Sequence, residues 1–125
     1  MSKIIEQPIP QGKYLPAVRH VDLIYTSGMT PRKAGDLLYS GKIRVVDSIE
    51  SHRDAVRLAT INALNAANNC LNDGEKISLI IHLTVYLNAE DEFSAHAKIA
   101  DFASEVLIEI LGPNCIGSRA AIGVS

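Results

Sequence analysis

Residues 77–87 constrain the fold most: Ile77, Leu79, Ile81, Leu83, Val85 and Leu87 alternate with Ser78, Ile80, His82, Thr84 and Tyr86. Successive side chains of a strand point to opposite faces, so this pattern predicts a strand whose first set lies wholly on a core. The second set mixes Ile80 and Tyr86 with polar groups. Such a face suits a subunit interface better than bulk water.

Helical patterns bracket that strand. Upstream, Val56, Ala59, Thr60, Ala63, Leu64, Ala67, Cys70 and Leu71 form one stripe, opposite Asp54, Arg57, Asn62, Asn65, Asn68 and Asn69. Asp47 or Ser48 starts the segment, Asp47 and Glu50 have capping-box spacing, and Asp73-Gly74 ends it. Downstream, over residues 93–111, Ala95, Ile99, Phe102, Ala103, Val106 and Ile110 share a face, while Lys98, Asp101, Glu105 and Glu109 turn away. Gly112-Pro113 is a stop signal. Nearer the N-terminus, Pro8, Pro10 and Gly12 mark an extended lead-in over the first dozen residues. Residues 15–19 and 23–27 read as a hairpin, 31–35 as a turn-rich break and 37–40 as a third short strand. Residues 118–125 read as a closing strand of small side chains. The order predicts a single α+β domain over residues 1–125, a mixed β-sheet with two helices packed on one face.

Composition excludes several classes. Apolar residues make up 47% and charged residues 21%, an ordinary globular balance rather than a disordered one. A net charge of -2, with the basic residues dispersed, gives no general attraction to nucleic acid or anionic lipid. The N-terminus has no apolar signal-like core, and no run approaches the roughly 18–20 apolar residues that span a bilayer. A cytoplasmic protein with no membrane partner is the expectation.

Most familiar catalytic patterns are absent: there is no phosphate loop, HExxH, GxSxG or paired CxxC. His20, His52, His82 and His96 lie in different elements without ligand spacing, so no metal or other cofactor is expected. Cys70 and Cys115 carry no local catalytic signature. Arg119 differs. It follows a turn and opens a strand with Ala120, Ala121 and Gly123, whose small side chains would let a ligand approach the backbone. A guanidinium placed there can grip a carboxylate through two parallel hydrogen bonds. The alternative is an arginine paired with a nearby Asp or Glu.

Several segments resemble the RidA/YjgF family, also called the L-PSP endoribonuclease-like or chorismate-mutase-like trimers. They are Gly12-Lys13-Tyr14-Leu15-Pro16-Ala17-Val18, Ile24-Tyr25-Thr26-Ser27-Gly28, Leu38-Tyr39-Ser40-Gly41-Lys42, the Asn/Ala-rich helix near Ala63, and Ser118-Arg119-Ala120-Ala121-Ile122-Gly123-Val124. The last is the most specific, and the wording looks closest to a branch distinct from the best-studied enamine/imine deaminases. The resemblance implies a homotrimer with clefts between subunits. In each cleft Arg119 would act as the catalytic anchor, binding the carboxylate of a small 2-imino or 2-keto acid. Tyr14, Ser27, Gly28, Ala120 and Ala121 would line the cleft. It also implies a further C-terminal strand carrying a Glu that positions water; no such strand precedes Ser125, and Ala121 stands where the deaminases commonly have Cys. The implied activity is hydrolysis of 2-iminobutanoate or 2-iminopropanoate to a 2-keto acid and ammonia. The alternative is a non-catalytic trimer that holds a metabolite in the same cleft. Endoribonuclease activity ranks third, because two Phe and no Trp offer little for base stacking.

Overall fold

A computed structural model describes residues 7–125. The extended lead-in therefore lies partly outside the described residues. The first pair of strands is the expected hairpin: β1 (Ala17–His20) runs antiparallel to β2 (Leu23–Thr26), with Ala17 opposite Thr26 and His20 opposite Leu23. A second, very short hairpin follows, β3 (Arg32–Lys33) with β4 (Asp36–Leu37). Its turn is Ala34-Gly35, both at positive φ (53° and 86°), the conformation a tight two-residue hairpin demands. The break expected over 31–35 is thus part of a hairpin, and the third strand ends near where it was expected to begin.

Ser48, rather than Asp47, caps the first helical segment. Its hydroxyl accepts from the Ser51 amide at 3.2 Å, opening a 3₁₀ turn (Ile49–His52) that leads into α1 (Arg53–Asn68). Asp47 instead accepts from the Arg44 amide at 2.9 Å. The long strand is β5 (Ile80–Asn88), followed by α2 (His96–Leu111) and β6 (Ile116–Val124). β5 and β6 run parallel, with Leu83 opposite Arg119 and Val85 opposite Ala121. The fold is α+β, and among the described residues the strands pair as three two-stranded ladders.

Two apolar clusters hold these elements together. Ile43, Leu87, Ala89, Phe93, Ile99 and Phe102 form one, and Leu64, Leu107 and Cys115 form the other with Ile77, Ile80, Leu83 and Ile116 packed against them. β5 departs from strict alternation. Ile80 and Leu83 both pack on the core, whereas Leu79 and Ile81 are 48% and 58% exposed. The expectation that Leu79 and Ile81 face the core is therefore corrected. At this point the Gly117 backbone presses on the strand: a Cβ there would lie 2.5 Å from the Ile81 carbonyl oxygen and 2.7 Å from that of Ile80. Only glycine fits such an approach, and the phase of β5 shifts across it. Ile110 is likewise exposed, near the C-terminal end of α2.

Ion pairs join the outer faces of the helices. Arg53 bonds Glu50 and reaches Glu105 at 2.7 Å, its guanidinium lying 4.4 Å over the Phe102 ring, and Arg57 reaches Glu109 at 2.9 Å. Hydrogen bonds from Arg53 and Arg57 hold the carboxyls of Glu50 and Glu109 below the ordinary carboxylate range, and the Arg44 amide does the same for Asp47. A depressed folded-state pKa adds stability above the unfolded value of about 4, and loses it as pH falls through the folded value. Melting temperature should therefore hold from pH 7 to about 5 and fall below about pH 4. Glu109→Gln should make that fall shallower; a melting temperature unchanged down to pH 2 would contradict the assignment. Among the described residues no helix is long and apolar enough to cross a membrane.

Candidate functional site

β6 carries Arg119 on the face that turns toward α2, because its register partner Leu83 packs on the core. Three groups of α2 receive the guanidinium. Nη1 donates to Asp101 Oδ1 at 2.7 Å and to Ser104 Oγ at 3.0 Å, while Nη2 donates to the Ala97 carbonyl at 3.3 Å. The arginine side chain is 22% exposed and that of Asp101 59%. Arg119 is thus paired with an acid, one of the two arrangements the sequence left open. The pairing is lopsided. Both protons of Nη1 are used, whereas a guanidinium has five N–H donors, and among the described residues Nε has no hydrogen-bond partner. Nε and one Nη2 proton are the donors without a partner, the other Nη2 proton being held by the Ala97 carbonyl.

Strand alternation puts Ala121 and Gly123 on the same face as Arg119 and turns Ala120 to the other. A groove of about 440 Å³ opens where this face meets the start of α2, lined by Glu90, Asp91, Phe93, His96, Gly123 and Val124 among others. Gly123 keeps it open: a Cβ there would meet His96 Nε2 at 2.6 Å. His96 is the sequence neighbour of Ala97, whose carbonyl receives Arg119, but Arg119 does not itself line this groove. A volume of this size suits a small metabolite.

Tyr14, Ser27 and Gly28 lie elsewhere in the chain. The β1–β2 hairpin packs on α1 and touches neither β5 nor β6. Ser27 Oγ donates to the Leu15 carbonyl at 2.6 Å, and the Tyr14 hydroxyl accepts from the Gln11 amide at 3.1 Å. Tyr14 and Gly28 line one cavity with Pro16, Thr30, Arg32 and Asn62, but its volume of about 40 Å³ holds only a few waters. One protomer therefore does not join these residues to Arg119.

Ser118 and His82 meet across the ladder, Oγ to Nδ1 at 2.7 Å, with Thr84 Oγ1 3.0 Å from the other ring nitrogen. Ser118 Oγ also lies 3.2 Å from the Ile81 carbonyl, so its one proton goes either to that carbonyl or to Nδ1, according to the tautomer of His82. The trio also lies on the face of β5–β6 opposite Arg119. Among the described residues no three His, Cys, Asp or Glu side chains gather as a metal-ligand set. Asp101, Ser104 and His96 were not legible as site residues, because they meet β6 only through tertiary packing.

Comparison with known proteins agrees with this architecture. The family model described as "YjgF/chorismate_mutase-like, putative endoribonuclease" matches residues 4–123. A crystal structure of protein Atu1372 from Agrobacterium tumefaciens, of unknown function, superposes with a TM-score of 0.81 at 27% identity, covering 93% of this chain and 74% of that one. A Shewanella oneidensis protein titled a "putative endoribonuclease" superposes with a TM-score of 0.76 at 28% identity, covering 98% and 83%. Protein TCP17 of Trypanosoma cruzi is 20% identical over 118 residues, 93% of this chain and 73% of its own length.

Proposed function

The chain belongs to the YjgF/chorismate-mutase-like family, and from that premise we propose that it is an enamine/imine deaminase acting on small 2-imino acids. What supports the reading is Arg119 beside α2: its Nε and one of the two Nη2 protons have no hydrogen-bond partner among the described residues, and together they match the two oxygens of a carboxylate. With the acid group held there, water adds to the C=N carbon and its protons pass to nitrogen. The C–N bond then breaks, releasing ammonia and leaving a 2-keto acid. A protonated imine is already electrophilic, so holding it beside water supplies much of the catalysis.

The active assembly in this reading is a homotrimer. Leu79, Ile81, Tyr86 and Ile122 leave an exposed apolar face along β5–β6, and another copy would cover it. A neighbour would also bring Tyr14, Ser27 and Gly28 against this protomer's Arg119, completing a cleft that one chain leaves open. Arg19, Arg44, Arg53, Arg57 and Arg119 are each paired with a carboxylate, which favours a small acid over a polyanion such as RNA.

The direct test is keto-acid and ammonia release from freshly generated 2-iminopropanoate, read beside the assembly's mass in solution. Acceleration above spontaneous hydrolysis, by a particle of three chains, is the expected result. No acceleration would count against the enzyme. A second reading, a non-catalytic metabolite-binding trimer, draws on Asp101: the acid that bonds Arg119 is engaged rather than free to serve as a base. Saturable binding of 2-oxobutanoate without turnover of the imine would select it.

A further inference from the structure

We infer that His82 makes assembly of the protein depend on pH, the copies separating as its ring takes up a second proton. The inference rests on the reading that another copy covers the outer face of β5–β6. Register and alternation place His82, Thr84 and Tyr86 of β5 on that face, beside Ser118, Ala120 and Ile122 of β6. β5 holds no Asp, Glu, Lys or Arg, and Arg119, the one such residue of β6, turns to the opposite face. His82 is therefore the only side chain there that changes charge near neutral pH. Its ring is also held in place. Nδ1 lies 2.7 Å from Ser118 Oγ and Nε2 lies 3.0 Å from Thr84 Oγ1, so both nitrogens are tied to the sheet.

Once covered, this clamp suits the two protonation states unequally. A neutral ring donates through one nitrogen and accepts through the other, and the two hydroxyls can serve either role. A charged ring donates through both, and it needs a negative group nearby when water is withdrawn. None is at hand. β5 and β6 pack on each other and on α2. β6 offers the ring Ser118, and β5 offers Thr84 and, further along, Tyr86. The ionisable groups of α2 (His96, Lys98, Asp101, Glu105 and Glu109) belong to the other side of the ladder, with Arg119. A neighbour presenting the outer face of its β1–β2 hairpin, Val18, His20, Leu23 and Tyr25, adds no carboxylate. Free copies take up the extra proton in water, and assembled copies do not. Association is therefore fullest above about pH 7 and weakens as pH falls below about 6.5.

Sedimentation over a dilution series down to nanomolar protein tests this, with circular dichroism confirming that the protomers stay folded. Uptake of one proton per copy on dissociation should raise the protein concentration of half-assembly roughly thirtyfold between about pH 7.5 and about pH 5.5. Samples far above that concentration stay assembled by mass action. His82→Gln, neutral at both values, should shift less than about threefold, whereas His20→Gln should keep the wild-type shift. His82→Lys, charged throughout, should need the higher concentration at both values. A full shift persisting in His82→Gln, or no shift in a wild type that assembles, would overturn the role of His82 and leave the trimer standing. A wild type that is a single chain at every concentration and both pH values would overturn the covered face, and this inference with it.

Discussion

Replacing Arg119 by alanine is expected to lower kcat/KM for 2-iminopropanoate hydrolysis by about 10²-fold or more, the usual cost of truncating one partner of a sheltered, hydrogen-bonded charge pair. The loss should be functional rather than structural. Asp101, the acid left behind, is 59% exposed and can be hydrated, so the folded state should lose little stability. Arg119→Lys separates charge from geometry. The ammonium keeps the positive charge but cannot offer two parallel donors while also holding Asp101 and Ser104, so its activity should fall between wild type and alanine, chiefly through KM. Keto-acid release measured across a substrate series gives both parameters. A wild-type kcat/KM in Arg119→Ala would remove this residue from the site.

Ile99→Ala is expected to be the most damaging single change to stability, at about 2–5 kcal/mol. Ile99 is 0% exposed and lies where α2 meets Ile43, Leu87, Ala89, Phe93 and Phe102, so truncation leaves a cavity walled by residues from several elements. Against a total of roughly 5–15 kcal/mol, that is a large share. Denaturant unfolding should show a lower midpoint with an unchanged slope, at fixed protein concentration because assembly contributes to stability. Ile81→Ser gives the contrast. Ile81 is 58% exposed in the protomer, so a lone chain should tolerate the change, and a large loss would mean that another copy covers it.

The difference between those two isoleucines shows how far the sequence could be read. Along α2 the period of 3.6 found Ile99, Phe102, Ala103 and Val106, all buried, because a regular helix keeps its phase and each position's face follows from its number. β5 did not keep its phase. The close approach of Gly117, remote in sequence, moved Ile80 inward and left Ile81 out, and no local pattern in residues 77–87 records that contact. The same limit applies to Asp101. Its place on the polar side of α2 marked it as solvated, and it is 59% exposed, but its distance of 18 positions from Arg119 has no meaning in helical or strand spacing. Arg119 stands out in the sequence by its small neighbours and the turn before it, but the ion pair it makes with Asp101 does not. Tyr14, Ser27 and Gly28 remain apart from it within one chain, since no packing inside the protomer draws the β1–β2 hairpin to β6.

A crystal structure of the protein with 2-oxobutanoate bound tests the carboxylate anchor most directly. The acid group should lie against Nε and Nη2 of Arg119, in a groove closed by Tyr14, Ser27 and Gly28 of an adjacent copy, with Asp101 still holding Nη1. A ligand bound away from the α2–β6 seam, or a protein that crystallises as a lone protomer with Arg119 bonded only to α2, would contradict it.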